Sequence, residues 1–242
     1  MITTQNVMIP SRFNGPAGSA NGGYACGLLA CAIDGPAQVI LRRPPPLGVE
    51  LLMEPAEDGV ALRRGDATIA IGTPAKVELE CPKPPTFAEA DEASQRYGGL
   101  IRHPFPTCFV CGPQRSIGDG LRIFPGRVSD SSLIAAPWIP EPDLVDSDGK
   151  VRAEFVWAAL DCPTGWVATL LPPDDQVVVL GTFAVDHRRP LVAGSRYVIA
   201  AWPLGSERRK SFTAAALWSD EGDLHAAARA TWIKVSGEVW SA

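Results

Sequence analysis

The sequence predicts an α+β fold in which a curved antiparallel sheet wraps a central helix, and predicts it twice within 242 residues. Three observations carry this. A helix-like apolar run followed by short strands occurs once in each half of the chain. Each of the two helices is apolar nearly all round, as in Tyr24-Ala25-Cys26-Gly27-Leu28-Leu29-Ala30-Cys31, so other structure must surround it. Gly and Pro number 23 each, which favours many turns between short elements over a long helical bundle.

In the first half, Asn21 to Ile33 reads as the helix. Strands are expected at Val39 to Pro44, Val49 to Met53, Val60 to Leu62, Ala67 to Ile71 and Ala75 to Leu79, from their short β-branched or alternating runs between turn residues. Cys81-Pro82-Lys83-Pro84-Pro85 ends this half. A short acidic helix follows over Thr86 to Tyr97, because Thr86 with Glu89 three residues on is a capping-box pair. Gly98-Gly99 stops it and His103-Pro104-Phe105-Pro106 extends the connection. The organisation is therefore a module over 1–82, a linker over 83–106 and a second module over 107–242. In the second half Glu154 to Leu171 is the helix, followed by strands at Gly181 to Arg188, Arg196 to Trp202, Ser211 to Trp218 and Leu224 to Val235. Arg42-Arg43-Pro44 holds the same place in its half as Arg188-Arg189-Pro190 in the other.

The formal charge of −5 argues against a nucleic-acid binder. Apolar residues at 46% and charged residues at 20% exclude a wholly disordered chain. The longest apolar helical run, Tyr24 to Ile33, is about half a membrane span, so no membrane association is expected. The first residues, Met1 to Asn6, carry neither a basic nor an apolar run, and three of the six cysteines fall in apolar helical patterns. The expectation is a cytoplasmic protein with reduced thiols.

Phe13-Asn14-Gly15-Pro16 leading to Asn21-Gly22-Gly23-Tyr24 resembles the start of the central helix in the hotdog-fold thioesterase superfamily, where His-Gly-Gly or Asn-Gly-Gly opens the helix and an acid follows inside it. Cys108-Phe109-Val110-Cys111-Gly112-Pro113, then Gly118-Asp119-Gly120-Leu121-Arg122-Ile123, resembles the start of phenylacetyl-CoA-type members, and the strand Phe183 to Pro190 is similar as well. The resemblance implies a double hotdog, with two antiparallel sheets each wrapped around a central helix. It implies an acyl-CoA thioesterase with no cofactor, whose partner is an acyl-CoA or acyl-carrier thioester. It leaves a homodimer of double hotdogs open.

The same resemblance puts a carboxylate nine positions after the residue before Gly-Gly. Nine after Asn21 stands Ala30, so the first half lacks the acid; Asp161 fits the acid position in the second half, but counting back gives Arg152-Ala153-Glu154, without Gly-Gly. Each half keeps what the other has lost. A glycine and a residue eight further along one helix are ~12 Å apart, too far to touch one carbonyl. Donors and acid must then come from different, antiparallel helices. One composite site is expected: Asn21, Gly22 and Gly23 from the first helix and Asp161 from the second. Helix-start glycines leave N–H groups free for an oxyanion, and Asp161 would serve as nucleophile or general base. Asn21 also fits a plain helix cap, and Asp161, before Cys162-Pro163, also fits a cap at a Pro-started helix.

Arg208, Arg209 and Lys210 follow Gly205-Ser206 in a turn that the resemblance places near coenzyme A phosphates; an ordinary solvated charge run reads equally well. Tyr24, Trp157 and Trp166 are candidates to line an acyl pocket, or plain core. Asp186 is the alternative acid, although Asp186-His187 on a strand point to opposite faces. Cys108 and Cys111 have metal-knuckle spacing, but no second such pair follows and His103 is the only near histidine, so no metal is expected. Two rival functions remain: a non-catalytic acyl-CoA or lipid-binding double hotdog, and a hotdog dehydratase or hydratase. The latter needs a catalytic His, and neither central helix contains one.

Overall fold

Asn21 begins the first helix by capping it: its side-chain oxygen accepts from the Tyr24 N–H at 2.9 Å, satisfying one of the donors that a helix start leaves free. The computed structural model describes residues 3–169 and 176–236. In chain order the elements are β1 (Gln5–Met8), α1 (Gly22–Ala30), β2 (Ala37–Leu41), β3 (Glu50–Ala56), β4 (Gly59–Arg64), β5 (Ala67–Pro74) and α2 (Phe87–Ser94). There follow β6 (Gly126–Arg127), β7 (Ile134–Trp138), α3 (Ala153–Thr169), β8 (Gln176–His187), β9 (Tyr197–Glu207), β10 (Lys210–Ser219) and β11 (Leu224–Ser236).

All the strands join one antiparallel sheet in the order β1-β3-β4-β5-β2-β8-β11-β10-β9-β7-β6. This corrects the expectation of two sheets. The seam is β2 against β8, with Val39 opposite Phe183 and Ile40 opposite Thr182. Each half would otherwise end in an exposed strand edge, and pairing the two edges satisfies both rows of backbone groups. Around this sheet, α1 and α3 pack against each other within one shared core that includes Leu29, Leu51, Phe109, Phe155, Leu160 and Phe183.

The internal repeat is visible in the backbone. The N–H groups of Arg42 and Arg43 both reach the carbonyl of Ile69, and those of Arg188 and Arg189 both reach that of His225. Asn21 N–H bonds the Phe13 carbonyl as Arg152 N–H bonds that of Leu144, and the bridge Asn14–Ala20 recurs as Val145–Val151. Up to the start of the central helices this equivalence is a constant shift of 131 residues, from 13 to 144 and from 21 to 152. Carried along the helices, it makes Gly23 equivalent to Glu154, Ala30 to Asp161 and Cys31 to Cys162.

Several expectations shift. Ala75 to Leu79 is not a strand: β5 ends at Pro74 opposite Ala37, the first residue of β2, and past that pair only Ala75 N–H bonds back, to the Pro36 carbonyl at 2.9 Å, among the backbone bonds of the described residues. α1 stops at Ala30, with Ala32 and Ile33 closing a tighter turn through i→i−3 bonds before Gly35 at φ +80°. The expected end of the second helix, Leu171, lies outside the described residues. Strands β1, β6 and β7 were not anticipated. The linker helix forms with both capping-box bonds between Thr86 and Glu89, but it does more than connect. α2 packs on the outer face of the second-half sheet, against β6, β7 and β9, where Ala90 shares a buried cluster with Val198, Ala200, Trp202, Ala214 and Ala216, while the alternate residues Ile199, Ala201, Ala215 and Leu217 belong to the core with the helices.

Candidate active site

α1 and α3 touch through glycine. A side-chain carbon on Gly23 would fall against Cβ of Asp161 and 2.8 Å from the Trp157 carbonyl oxygen; on Gly27 it would lie 2.6 Å from Cα of Glu154. The pairs 23 with 161 and 27 with 154 run in opposite directions, so the helices are antiparallel. Glycine at these two positions lets the backbones approach closely enough for a main-chain donor of one helix to reach a side chain of the other.

That bond forms. Asp161 Oδ2 accepts from Gly23 N–H at 2.9 Å and from the Asn21 side-chain amide at 2.9 Å. Asn21 thus caps its helix with its oxygen and holds Asp161 with its nitrogen. The other oxygen, Oδ1, is buried and has no hydrogen-bond partner among the described residues. Asp161 is 2% exposed. Burial pushes its carboxyl up to about 7, with the buried Cys108 acting in the same direction, against the pull of Gly23 N–H and the Asn21 amide. Of the four residues expected in the composite site, Asn21, Gly23 and Asp161 are joined by hydrogen bonds, while Gly22, between Asn21 and Gly23 in the chain, lies against Leu180 and Leu41. Asp161 lies in the middle of α3, and Pro163 lies inside that helix too, so the reading of Asp161 as the cap of a Pro-started helix is overturned. Thr164 takes part in the turn: its hydroxyl donates to the Asp161 carbonyl at 2.6 Å and accepts from the Trp232 indole at 2.9 Å.

At the equivalent place in the other half, Arg152 replaces Asn21, Glu154 replaces Gly23 and Ala30 replaces Asp161. Glu154 Oε1 lies 3.4 Å from Arg152 Nε, and Cys31 Sγ lies 4.0 Å from Glu154 Oε2. No carboxylate faces a glycine N–H there among the described residues.

The side chains of the other candidates make no hydrogen bond with Asp161 among the described residues. The Tyr24 ring stacks on Phe13 at 4.2 Å and meets Phe155, and burial together with nearby Glu154 raises its hydroxyl to about 12. Trp157 meets Phe183 edge-on at 5.5 Å. Trp166 packs on Tyr97 and His103. Asp186 is engaged by Arg188 at 2.7 Å and makes no hydrogen bond with Asn21 or either helix-start glycine among the described residues. Arg208 and Arg209 form the exposed β9–β10 turn and Lys210 starts β10. This hairpin lies toward the C-terminal end of α3, since Trp232, which bonds Thr164, is opposite Ser211. A surface cleft of about 120 Å³, lined by Arg12, Leu121, Trp138 and Asp143 among others, includes none of the composite-site residues.

Sequence spacing missed one cluster. Cys108 and Cys111 acquire a third thiol, Cys162, the residue after Asp161, and all three sulfurs lie within 4.8 Å of one another. Its place inside an apolar helical run made Cys162 look like core; only its neighbour Asp161 signalled a site.

No protein-family model and no curated protein matches the chain. Solved structures do. The tesB protein of Mycobacterium avium subsp. paratuberculosis superposes with a TM-score of 0.64 at 11% identity, over 96% of this chain and 93% of that one. A Thermobifida fusca protein provisionally described as a thioesterase II gives 0.63 at 14% identity, over 96% and 92%. A conserved hot dog fold protein of unknown function from Alicyclobacillus acidocaldarius gives 0.58 at 12%, over 96% and 93%. These likenesses show the fold: the chain is an α+β double hotdog.

Proposed function

We propose that the protein hydrolyses an acyl thioester, of coenzyme A or an acyl carrier, at one composite site formed by Asn21, Gly22 and Gly23 of α1 and Asp161 of α3. The carrying observation is the asymmetry of the Asp161 carboxylate. Oδ2 is fixed by two donors from the opposite helix, and Oδ1 is left without a partner in a dry setting. A buried oxygen with no partner is costly in a purely structural role, so the arrangement suits an atom reserved for a reaction.

Oδ1 either removes a proton from water, whose oxygen attacks the thioester carbon, or attacks that carbon itself to give an anhydride that water then cleaves. Both routes expel the thiolate, which leaves as the thiol, and yield the carboxylic acid. A carboxyl near 7 is matched to proton transfer at neutral pH. Gly23 N–H and the Asn21 amide act as positioning groups for Asp161. The Gly22 N–H, without a partner among the described residues, is the donor for the developing oxyanion, aided by the positive end of α1. The names of the tesB protein and the thioesterase II support the same reaction class. Its setting is a reducing, cytoplasmic compartment, where the six cysteines stay free of disulfides.

One observation favours the second reading, a non-catalytic thioester binder. Asp161 is nearly inaccessible, and a thioester reaching Oδ1 needs an opening wider than this conformation shows. Calorimetry with a non-hydrolysable acyl-CoA analogue tests the composite site under both. One ligand per chain, abolished by Gly22→Leu, supports it. Two ligands per chain, one at each helix start, contradict it.

A further inference from the structure

We propose that Cys108, Cys111 and Cys162 hold one zinc ion as three thiolates, in a centre that ties the loop after α2 to the middle of α3.

The three side chains are buried, and their sulfurs all lie within 4.8 Å of one another. Cys108 Sγ and Cys162 Sγ are 3.7 Å apart. That is far beyond the ~2.05 Å of a disulfide. It is the spacing of two sulfurs that each sit ~2.3 Å from a tetrahedral zinc, which is about 3.8 Å.

The loop is built as a ligand knuckle. Gly112 N–H returns to the Cys108 carbonyl at 2.9 Å, and a side-chain carbon on Gly112 would lie 2.5 Å from the Cys108 nitrogen, so only glycine closes the turn. Two side-chain donors face the sulfurs: His103 Nε2 lies 3.3 Å from Cys111 Sγ, and Asn21 Nδ2 lies 3.7 Å from Cys162 Sγ. His103 Nδ1 accepts from Phe105 N–H at 2.9 Å, which leaves the ring proton on Nε2, directed at sulfur. His103 is therefore a hydrogen-bond donor to the Cys111 thiolate and stands outside the ligand set.

Two side-chain N–H groups thus face a cluster of three buried sulfurs. Three thiolates around a divalent ion carry a net charge of −1, which these donors offset. Binding releases three protons, one from each thiol, and needs no oxidant. Soft sulfur ligands select zinc or another thiophilic ion over magnesium or calcium. The centre also reaches the composite site, because the Asn21 amide that holds Asp161 lies against Cys162.

The symmetry of the chain supplies a control. Cys31 is equivalent to Cys162 but has no cysteine pair beside it among the described residues. Full-length protein produced with zinc in the medium and purified without chelator should carry about one zinc per chain by elemental analysis. Cys108→Ser, Cys111→Ser and Cys162→Ser should each lose it, and Cys31→Ser should keep it. If the serine variants do not fold, cobalt added to wild-type protein refolded without metal, under reducing anaerobic conditions, decides instead. It should give one equivalent of intense thiolate-to-cobalt charge-transfer absorption. Metal-free protein with no such absorption would overturn the proposal. So would a Cys108–Cys162 disulfide found by mass spectrometry of the alkylated native chain.

Discussion

The carboxylate of Asp161 and the backbone N–H of Gly23 meet at 2.9 Å although 138 residues separate them, because Gly23 lets two antiparallel helices close to backbone contact. Gly23→Ala should therefore act as a wedge. Its methyl would fall on Cβ of Asp161 and on the backbone of Trp157 and Ala158, neither of which can swing away. We expect a loss of about 1–3 kcal/mol, the usual cost of overpacking, measured by urea unfolding, together with loss of thioester turnover. Gly27→Ala, which collides with Glu154 and Trp157, should show the same stability loss. A Gly23→Ala variant as stable as wild type would mean the helices are further apart than described.

Ala30→Asp restores an acid at the equivalent place in the other half. It should gain no activity, because Glu154 stands where a glycine N–H would be needed. Ala30 is buried, so the new carboxylate should destabilise the fold by on the order of 3 kcal/mol at neutral pH. The loss should shrink in acid, where the group is protonated. Increased turnover in this variant would contradict the single-site account.

Much of this was legible before the structure. The two helices, the strands from β8 to β11 and the capping box at Thr86 follow from local pattern, and the reciprocal loss of Gly-Gly and acid follows from the family resemblance. The joining of β2 to β8 was not, since strand pairing between halves leaves no local trace. Nor was β7: Ile134 to Trp138 contains Pro137 and lacks the alternation that marked the other strands. Cys162 was seen only as an apolar helix residue, because its thiol partners come from a loop more than fifty positions earlier.

If the basic turn holds phosphates, replacing Arg208, Arg209 and Lys210 together by Ala should raise KM for acyl-CoA several-fold and leave kcat nearly unchanged, the signature of lost uniform binding. The effect should fade as salt rises. Equal KM values for variant and wild type at low salt would return the turn to plain solvated surface.

His187 ends β8 with Nε2 buried and without a partner among the described residues, and burial holds its imidazole below the usual range, with His225 acting the same way. The folded state refuses a proton that the unfolded chain accepts below about pH 6.5. Stability should thus be flat with respect to this group above that pH and fall as pH drops below it. His187→Gln should reduce that acid-side slope in urea unfolding; unchanged slopes would show that the ring is protonated as readily in the fold as out of it.

The central claim, that Asp161 does chemistry at a composite site, is tested most directly by thiol release from a panel of acyl-CoA substrates with wild-type protein and Asp161→Asn. The Asn side chain keeps the shape and an oxygen for Gly23 N–H, and removes the base. The account predicts hydrolysis by wild type and a fall in kcat of at least ~100-fold in the variant, with binding of a non-hydrolysable analogue retained. Near-normal turnover in Asp161→Asn would contradict it.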